Sequence, residues 1–300
     1  MHPTRLGLAD FPNPLQSIQV PKPDKRALPE LGRQFLQLHD RRRILVLPNA
    51  WDVASARIFE DAGFPAIATT SGGIANSLGY SDGQRIPRDA MIEVVHRIAA
   101  AVSVPVTADM EAGYGATPEA VADTARQAIA AGAVGMNLED GVPGKPDALV
   151  DLSLQKEVIR AVIETCNTLH VPFVLNARTD IFLHSIGPAE TRLPRALERL
   201  NAYRDSGAQC LFVPGVTDEQ TIGQLVRGVN GPLNILATAG SPAIPTLERL
   251  GVARVSLGSG PMRASLGLLK RMARQIREDG SFALMAQDAL SYADANRLLE

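Results

Sequence analysis

Eight times along the chain a short, β-prone apolar run gives way to a stretch of helical periodicity. The runs fall at 44–47, 66–69, 104–108, 134–138, 173–175, 210–213, 233–237 and 254–257. Helices are expected after them at 52–62, 88–102, 118–131, 154–169, 194–205, 218–229, 245–250 and 262–278. Four helices hand over to the next strand through a glycine: Gly63, Gly132, Gly207 and Gly251. Strands this short and apolar are buried on both faces, so they must lie parallel with helices outside. Eight such units favour closure into an α/β (β/α)8 TIM barrel, which takes about 250 residues, over an open doubly wound sheet.

Three segments follow from this pattern in a chain of 300 residues. Residues 1–30 hold Pro3, Pro12, Pro14, Pro21, Pro23 and Pro29, a density that reads as an extended N-terminal arm. Residues 31–280 form the barrel, entered through a helix at 31–40 with Leu31, Phe35 and Leu38 on one face. Arg41, Arg42 and Arg43 read as a solvated edge before the first strand. Residues 281–300 form one extra amphipathic C-terminal helix carrying Phe282, Met285, Leu290, Tyr292 and Leu298.

The balance of 30 basic against 32 acidic residues leaves no cationic footprint, so nucleic acid is not expected as a partner. No apolar stretch reaches about 18 residues and the first ten residues hold no signal-peptide core, so neither membrane nor export is expected. Cys166 and Cys210 stand far apart without metal-ligand spacing, which points to a reducing cytoplasm.

A barrel enzyme keeps its chemistry just past the carboxyl ends of its strands. There this sequence places Asn49 and Asp52, then Thr70-Ser-Gly-Gly73, Asp109 with Glu111, Glu139-Asp140, and Asn176, Arg178 and Asp180. Strand alternation puts Asp109 and Glu111 on one face, and Asn176 and Arg178 on another. Asp109, Glu111 and Glu139 converging on one mouth would repel one another unless a cation intervenes. Oxygen ligands with no neighbouring His or Cys suit Mg2+ better than zinc. Arg178 is then suited to clamp a substrate carboxylate in bidentate fashion. Ser71, Gly72 and Gly73 read either as amide donors to an anionic oxygen or as a plain turn. Asp82, in Gly79-Tyr-Ser-Asp-Gly83, reads either as a turn acid or as a side chain reaching the site. Gly258-Ser-Gly260 and Thr238-Ala-Gly-Ser241 offer a rival, phosphate-anchored reading. Of the five histidines, His39, His96 and His170 read as surface or packing residues, and His184 lies in a loop and is of marginal interest.

With these motifs in hand, residues 31–280 resemble the isocitrate lyase/phosphoenolpyruvate mutase superfamily. The resemblance rests on Pro48-Asn-Ala-Trp-Asp-Val-Ala-Ser-Ala-Arg57, Gly79-Tyr-Ser-Asp-Gly83, Asp109-Met-Glu-Ala-Gly-Tyr-Gly115, Asn137-Leu-Glu-Asp140 and Asn176-Ala-Arg-Thr-Asp180. It implies a Mg2+-dependent barrel, with Mn2+ as the alternative ion, that binds small 2-oxo acids or related carboxylates and passes through an enolate. It implies a homotetramer, a dimer of helix-swapped dimers, with the exchanged segment after Gly280. Its metal-binding acids fall on Asp109, Glu111 and Glu139, Asp109 being the direct ligand. Its substrate arginine falls on Arg178, beside Asn176. Its oxyanion backbone falls on Ser71, Gly72 and Gly73, and its essential acid before strand three on Asp82; Asp82, Arg178 and Glu139 make the catalytic set.

Two departures matter. Glu111 replaces the usual aspartate. The loop at 141–151 lacks both the Lys-Lys-Cys-Gly-His run of the isocitrate and methylisocitrate lyases and the asparagine of the phosphonate-handling members, leaving Lys145 as a solvated candidate acid. The expectation is a Mg2+-dependent lyase cleaving a C–C bond of a small 2-oxo or 2-hydroxy carboxylate. The alternatives are a mutase or hydrolase at the P–C bond of phosphonopyruvate, and a carboxylate-binding barrel without turnover.

Overall fold

The computed structural model describes residues 28–39, 43–287 and 289–300. The expected arm lies outside them up to residue 27, as do Arg41 and Arg42. In chain order the elements begin with α1 (Leu28–Gln37), β1 (Leu45–Leu47), β2 (Asn49–Ala50), α2 (Val53–Asp61), β3 (Ile67–Thr69), α3 (Ser71–Ser77) and α4 (Arg88–Ala101). Next come β4 (Val106–Asp109), α5 (Pro118–Ala130), β5 (Gly135–Glu139), β6 (Gly141–Val142), β7 (Lys145–Leu149), α6 (Leu152–Thr168), β8 (Val174–Arg178) and α7 (Ala189–Asp205). The chain ends with β9 (Cys210–Val213), α8 (Glu219–Gly228), β10 (Leu233–Leu236), α9 (Ile244–Leu250), β11 (Arg254–Ser256), α10 (Gly260–Asp279), α11 (Ala283–Ala286) and α12 (Tyr292–Arg297).

One sheet runs β1-β11-β10-β9-β8-β5-β4-β3-β2, with its neighbours parallel. Its two ends are a single run of chain broken only at Pro48, so the sheet closes into the expected eight-stranded TIM barrel. Leu45 to Leu47 register against Arg254 to Ser256, whereas Asn49 and Ala50 register against Ala68 and Thr69. Asn49 stitches this seam. Its amide nitrogen donates to the Thr69 carbonyl at 2.8 Å, and its oxygen accepts from the amides of Leu257 and Gly258, both at 2.8 Å. Those two amides are donors that the phosphate-anchored reading would need.

Local chemistry explains where the helices begin. Asp52 and Ser55 form a capping box at the start of α2. Thr117 caps α5 with Pro118 in its first turn. The floor of the barrel is closed by α1, whose Phe35 is fully buried beneath Gly135. A Cβ at Gly135 would sit 2.8 Å from the Val174 carbonyl oxygen and 2.9 Å from the Phe35 ring, so only glycine fits.

The structure corrects three boundaries. Helix α1 starts three residues before the expected 31, because Pro29 falls in the first turn, where N–H groups have no intrahelical partner anyway. Helix α7 runs from Ala189 with Pro194 inside it, five residues longer than expected. The single C-terminal helix is instead two short ones, α11 and α12, the second capped afresh by Ser291.

Candidate active site

Asp109 closes β4 and is held from several sides. Its Oδ2 accepts the Ser71 amide at 3.0 Å and the Ser71 hydroxyl at 2.9 Å, and its Oδ1 accepts from the Asn137 amide at 3.2 Å. Its own amide donates to the Thr69 hydroxyl at 2.9 Å. The Asn176 amide in turn donates to Asn137 Oδ1 at 2.8 Å. Four adjacent strand ends thus fix one carboxylate. Asn176 supports that chain from below rather than lining the mouth, being fully buried.

Ser71 therefore spends both its donors on Asp109. The Gly73 amide caps α3 through the Thr70 hydroxyl at 3.4 Å, so the triplet expected as an oxyanion cradle serves first to position an acid. Gly72 provides proximity: a Cβ there would lie 2.8 Å from Asp82 Oδ2. Asp82 consequently reaches the site from the loop between α3 and α4, and is more than a turn acid. Its Oδ1 accepts the Gly83 amide at 3.0 Å and lies 3.5 Å from the Ser71 hydroxyl.

Glu111 arrives by a route that strand alternation does not describe. β4 ends at Asp109, and Glu111 adopts φ +52°. Gln84 (+56°) and Tyr114 (+55°) share this left-handed conformation, which costs a non-glycine residue roughly 1–3 kcal/mol. The three are bound together. The Gln84 amide donates to Glu111 Oε2 at 2.5 Å, the Tyr114 hydroxyl donates to Oε1 at 3.1 Å, and the Tyr114 amide donates to Gln84 Oε1 at 2.7 Å. The strained loops after β4 and before α4 are thereby locked around one carboxylate. Sequence reasoning missed Gln84 and Tyr114; the Glu-Ala-Gly-Tyr-Gly turn signalled a tight loop, but no local signal pairs it with residue 84.

Glu139 and Arg178 are register partners on β5 and β8, and they form an ion pair of 2.8 Å. Arg178 Nε also meets Asp180 Oδ1 at 2.5 Å, and the guanidinium lies 5.8 Å from the centre of the Phe212 ring. Two positions of the Arg178 fork are thus already committed inside the protein, so the bidentate clamp expected from sequence must act through its remaining N–H groups.

The electrostatics separate two groups of acids. Glu139 and Asp180 share Arg178, whose charge they reinforce. Burial pushes Glu139 well above the usual carboxylate range against the pull of Arg178, with Asp180, Asp109 and Glu111 adding to the rise. Asp82, Asp109 and Glu111 have no cationic partner within ion-pair distance among the described residues. Burial raises Asp82, and Asp109 raises it further. Glu111 is pushed up to about 7 by burial, then by Asp109 and Asp82, against the hydrogen bonds from Gln84 and Tyr114. The Tyr114 hydroxyl is pushed above its ordinary value by burial and by Glu111, so it stays a donor.

The expected metal acids fall into both groups. Among the described residues no three His, Cys, Asp or Glu side chains are drawn together closely enough to hold an ion between them. Neither Asp109, Glu111 and Glu139 nor Asp82, Asp109 and Glu111 form a ready cage, and Glu139 is turned to Arg178. The unbalanced acids are Asp82, Asp109 and Glu111. Such a set fits Mg2+, which keeps several waters and takes only one or two carboxylates directly.

The chain matches the phosphoenolpyruvate phosphomutase family model over residues 35–277, and it belongs to that family, within the isocitrate lyase/phosphoenolpyruvate mutase superfamily. A candidate lyase/mutase of Burkholderia cenocepacia J2315 is 38% identical with a TM-score of 0.85, over 91% of this chain and 96% of that one. The 2-methylisocitrate lyase of Escherichia coli K12 is 29% identical over 78% of this chain and 79% of its own length. An oxaloacetate acetylhydrolase in complex with its product oxalate is 25% identical with a TM-score of 0.80, over 90% of this chain and 93% of that one.

Proposed function

We propose that this member of the phosphoenolpyruvate phosphomutase family is a Mg2+-dependent lyase that cleaves a C–C bond of a small 2-oxo or 2-hydroxy carboxylate. One observation carries the reading: two buried acids, Asp109 and Glu111, with Asp82 at their rim, stand without an ion-paired cation in the same electrostatic field as Arg178. Asp109 would hold the ion directly, with Asp82 and Glu111 engaging its waters. Bound there, Mg2+ supplies a Lewis acid that draws electron density from a carbonyl or alkoxide oxygen.

The chain's own residues account for the rest. Arg178 binds the substrate carboxylate and stays charged, while Asp180 and Glu139 fix the plane of its guanidinium. Ser71 and Asn137 hold Asp109 in one orientation, which preorganises the site for charge that develops as the bond breaks. Lyase chemistry is supported by the activity of the methylisocitrate lyase relative, and recognition of a small dicarboxylate by the oxalate in the acetylhydrolase complex. The hairpin β6–β7 exposes Lys145 and carries neither Cys, His nor Asn, which disfavours methylisocitrate itself and phosphonopyruvate as substrates.

Self-association is part of the proposal. Leu266, Leu269 and Ile276 on α10, with Phe282, Met285 and Tyr292 beyond it, are exposed and apolar, as a surface covered by a second copy would be. Among the described residues no helix is long and apolar enough to cross a membrane, and we place the enzyme in the cytoplasm. The test is turnover of a panel comprising oxaloacetate, 2- and 3-alkylmalates and phosphonopyruvate, with Mg2+ and with EDTA. Mg2+-dependent C–C cleavage supports the reading. Turnover of phosphonopyruvate alone would replace it with P–C chemistry, and Mg2+-dependent binding with no turnover would leave an inert binder.

A further inference from the structure

We infer that Arg199 and Tyr203, on the outer helix α7, are positioning residues that act through Asp140 on Arg178 and on the hairpin β6–β7. This rests on Arg178 being the carboxylate anchor proposed above.

Asp140 follows β5 and has no exposed surface. Three donors surround it. Arg199 Nε reaches Oδ2 at 2.7 Å, the Tyr203 hydroxyl reaches Oδ2 at 2.6 Å, and the Asp180 amide reaches Oδ1 at 2.9 Å. Asp180 then accepts from Arg178 Nε at 2.5 Å. A continuous series of contacts therefore runs from α7 through two buried aspartates to the guanidinium. Neither Arg199 nor Tyr203 has a hydrogen bond to Asp82, Asp109 or Glu111.

Charge explains why the series needs Arg199. Burial raises the cost of ionising Asp180, and the neighbouring buried Asp140 adds to it. With Asp140 neutralised by Arg199, Arg178 is left to Asp180 and Glu139. Without Arg199, Asp140 becomes a buried charge with no countercharge, and it competes for the nearest cation. Asp180, whose amide Asp140 holds, is the link through which that disturbance reaches Arg178.

The same arginine closes the base of the hairpin. The Val150 amide donates to the Asp140 carbonyl at 2.8 Å, and Arg199 Nη2 donates to the Val150 carbonyl at 2.7 Å. Both residues that flank the hairpin are thus tied to one side chain. At its first residue, Gly141, a Cβ would lie 2.9 Å from Asp180 Oδ2, so the hairpin starts against the carboxylate that holds Arg178. Arg199 and Tyr203 sit one helical turn apart, with the guanidinium 5.7 Å from the centre of the phenol ring.

The test compares wild type with Tyr203→Phe, Arg199→Lys and Arg199→Met. Oxalate affinity in saturating Mg2+, Mg2+ affinity alone, and amide exchange at Val150 and Asp180 are measured. Tyr203→Phe keeps the packing and removes one donor, and should weaken oxalate roughly five- to tenfold. Arg199→Met should weaken it further, with Arg199→Lys between, because lysine can reach Asp140 but cannot span to Val150 at the same time. Mg2+ affinity should stay within about twofold of wild type, and exchange at Val150 and Asp180 should quicken selectively. Variants that lose thermal stability while keeping wild-type oxalate affinity and local exchange would overturn the inference, as would equal losses for oxalate and Mg2+. Should wild type itself bind no oxalate, the functional reading fails, and exchange at the two amides alone decides the coupling: selective quickening upholds it, unchanged exchange rejects it.

Discussion

Replacing Glu111 by Gln should make the metal-free protein more stable at neutral and alkaline pH, with the gain growing from about pH 4.5 and levelling off above about 7. Folded Glu111 is pushed up from 4.5 to about 7 by burial first, then by Asp109 and Asp82. The native state therefore holds this proton more tightly than the unfolded chain does. Its stabilising contribution is complete below about 4.5 and disappears as pH climbs through about 7. At about 1.4 kcal/mol per pKa unit, the loss across that window is roughly 3 kcal/mol. Glutamine mimics the protonated acid: its oxygen can accept the Gln84 amide while its NH2 faces the Tyr114 hydroxyl. The assay is urea unfolding of both proteins in EDTA between pH 4.5 and 8. The two stability curves should separate by roughly 3 kcal/mol over this range, and Mg2+ should shrink the slope of wild type. Parallel curves would refute the claim that Glu111 is a desolvated acid lacking a cation.

Gly72→Ala would drive a methyl group to 2.8 Å from Asp82 Oδ2 and 3.0 Å from its carboxyl carbon. We expect Mg2+ affinity by calorimetry to fall about tenfold with little change in Tm, since one carboxylate moves while the core does not. On α10, the double substitution Leu266→Glu and Leu269→Glu puts charge on two leucines that are 49% and 57% exposed. Light scattering should show a smaller assembly than wild type with the same helical content.

Much of the fold was legible because parallel barrels are written in local code: short apolar runs, capping residues and closing glycines. Thr117 with Pro118, and the alternation that pairs Asn176 with Arg178, could be read directly. What stayed hidden depended on contacts distant in sequence. No local pattern shows that Glu139 faces Arg178 in register, so the ion pair between them is not legible in the sequence. Strand alternation failed at Glu111 because β4 stops two residues earlier and the chain turns left-handed. Asp82 could not be chosen as turn or site residue until Gly72 showed the gap that admits it. Proline was over-read at Pro29 and Pro194, since sequence alone does not say which helical turn a proline occupies.

The central claim is that Asp109 and Arg178 together make a Mg2+-dependent seat for a small carboxylate, and the most direct measurement is the thermal shift produced by oxalate with and without Mg2+. A ligand at one hundred times its dissociation constant adds about 2.7 kcal/mol, which corresponds to roughly 4–5 °C at an unfolding entropy of about 2.1 cal/mol/K per residue. Wild type should show that shift only when both are present, and Asp109→Asn should abolish it. Stabilisation by oxalate in EDTA, or an undiminished shift in Asp109→Asn, would contradict the account.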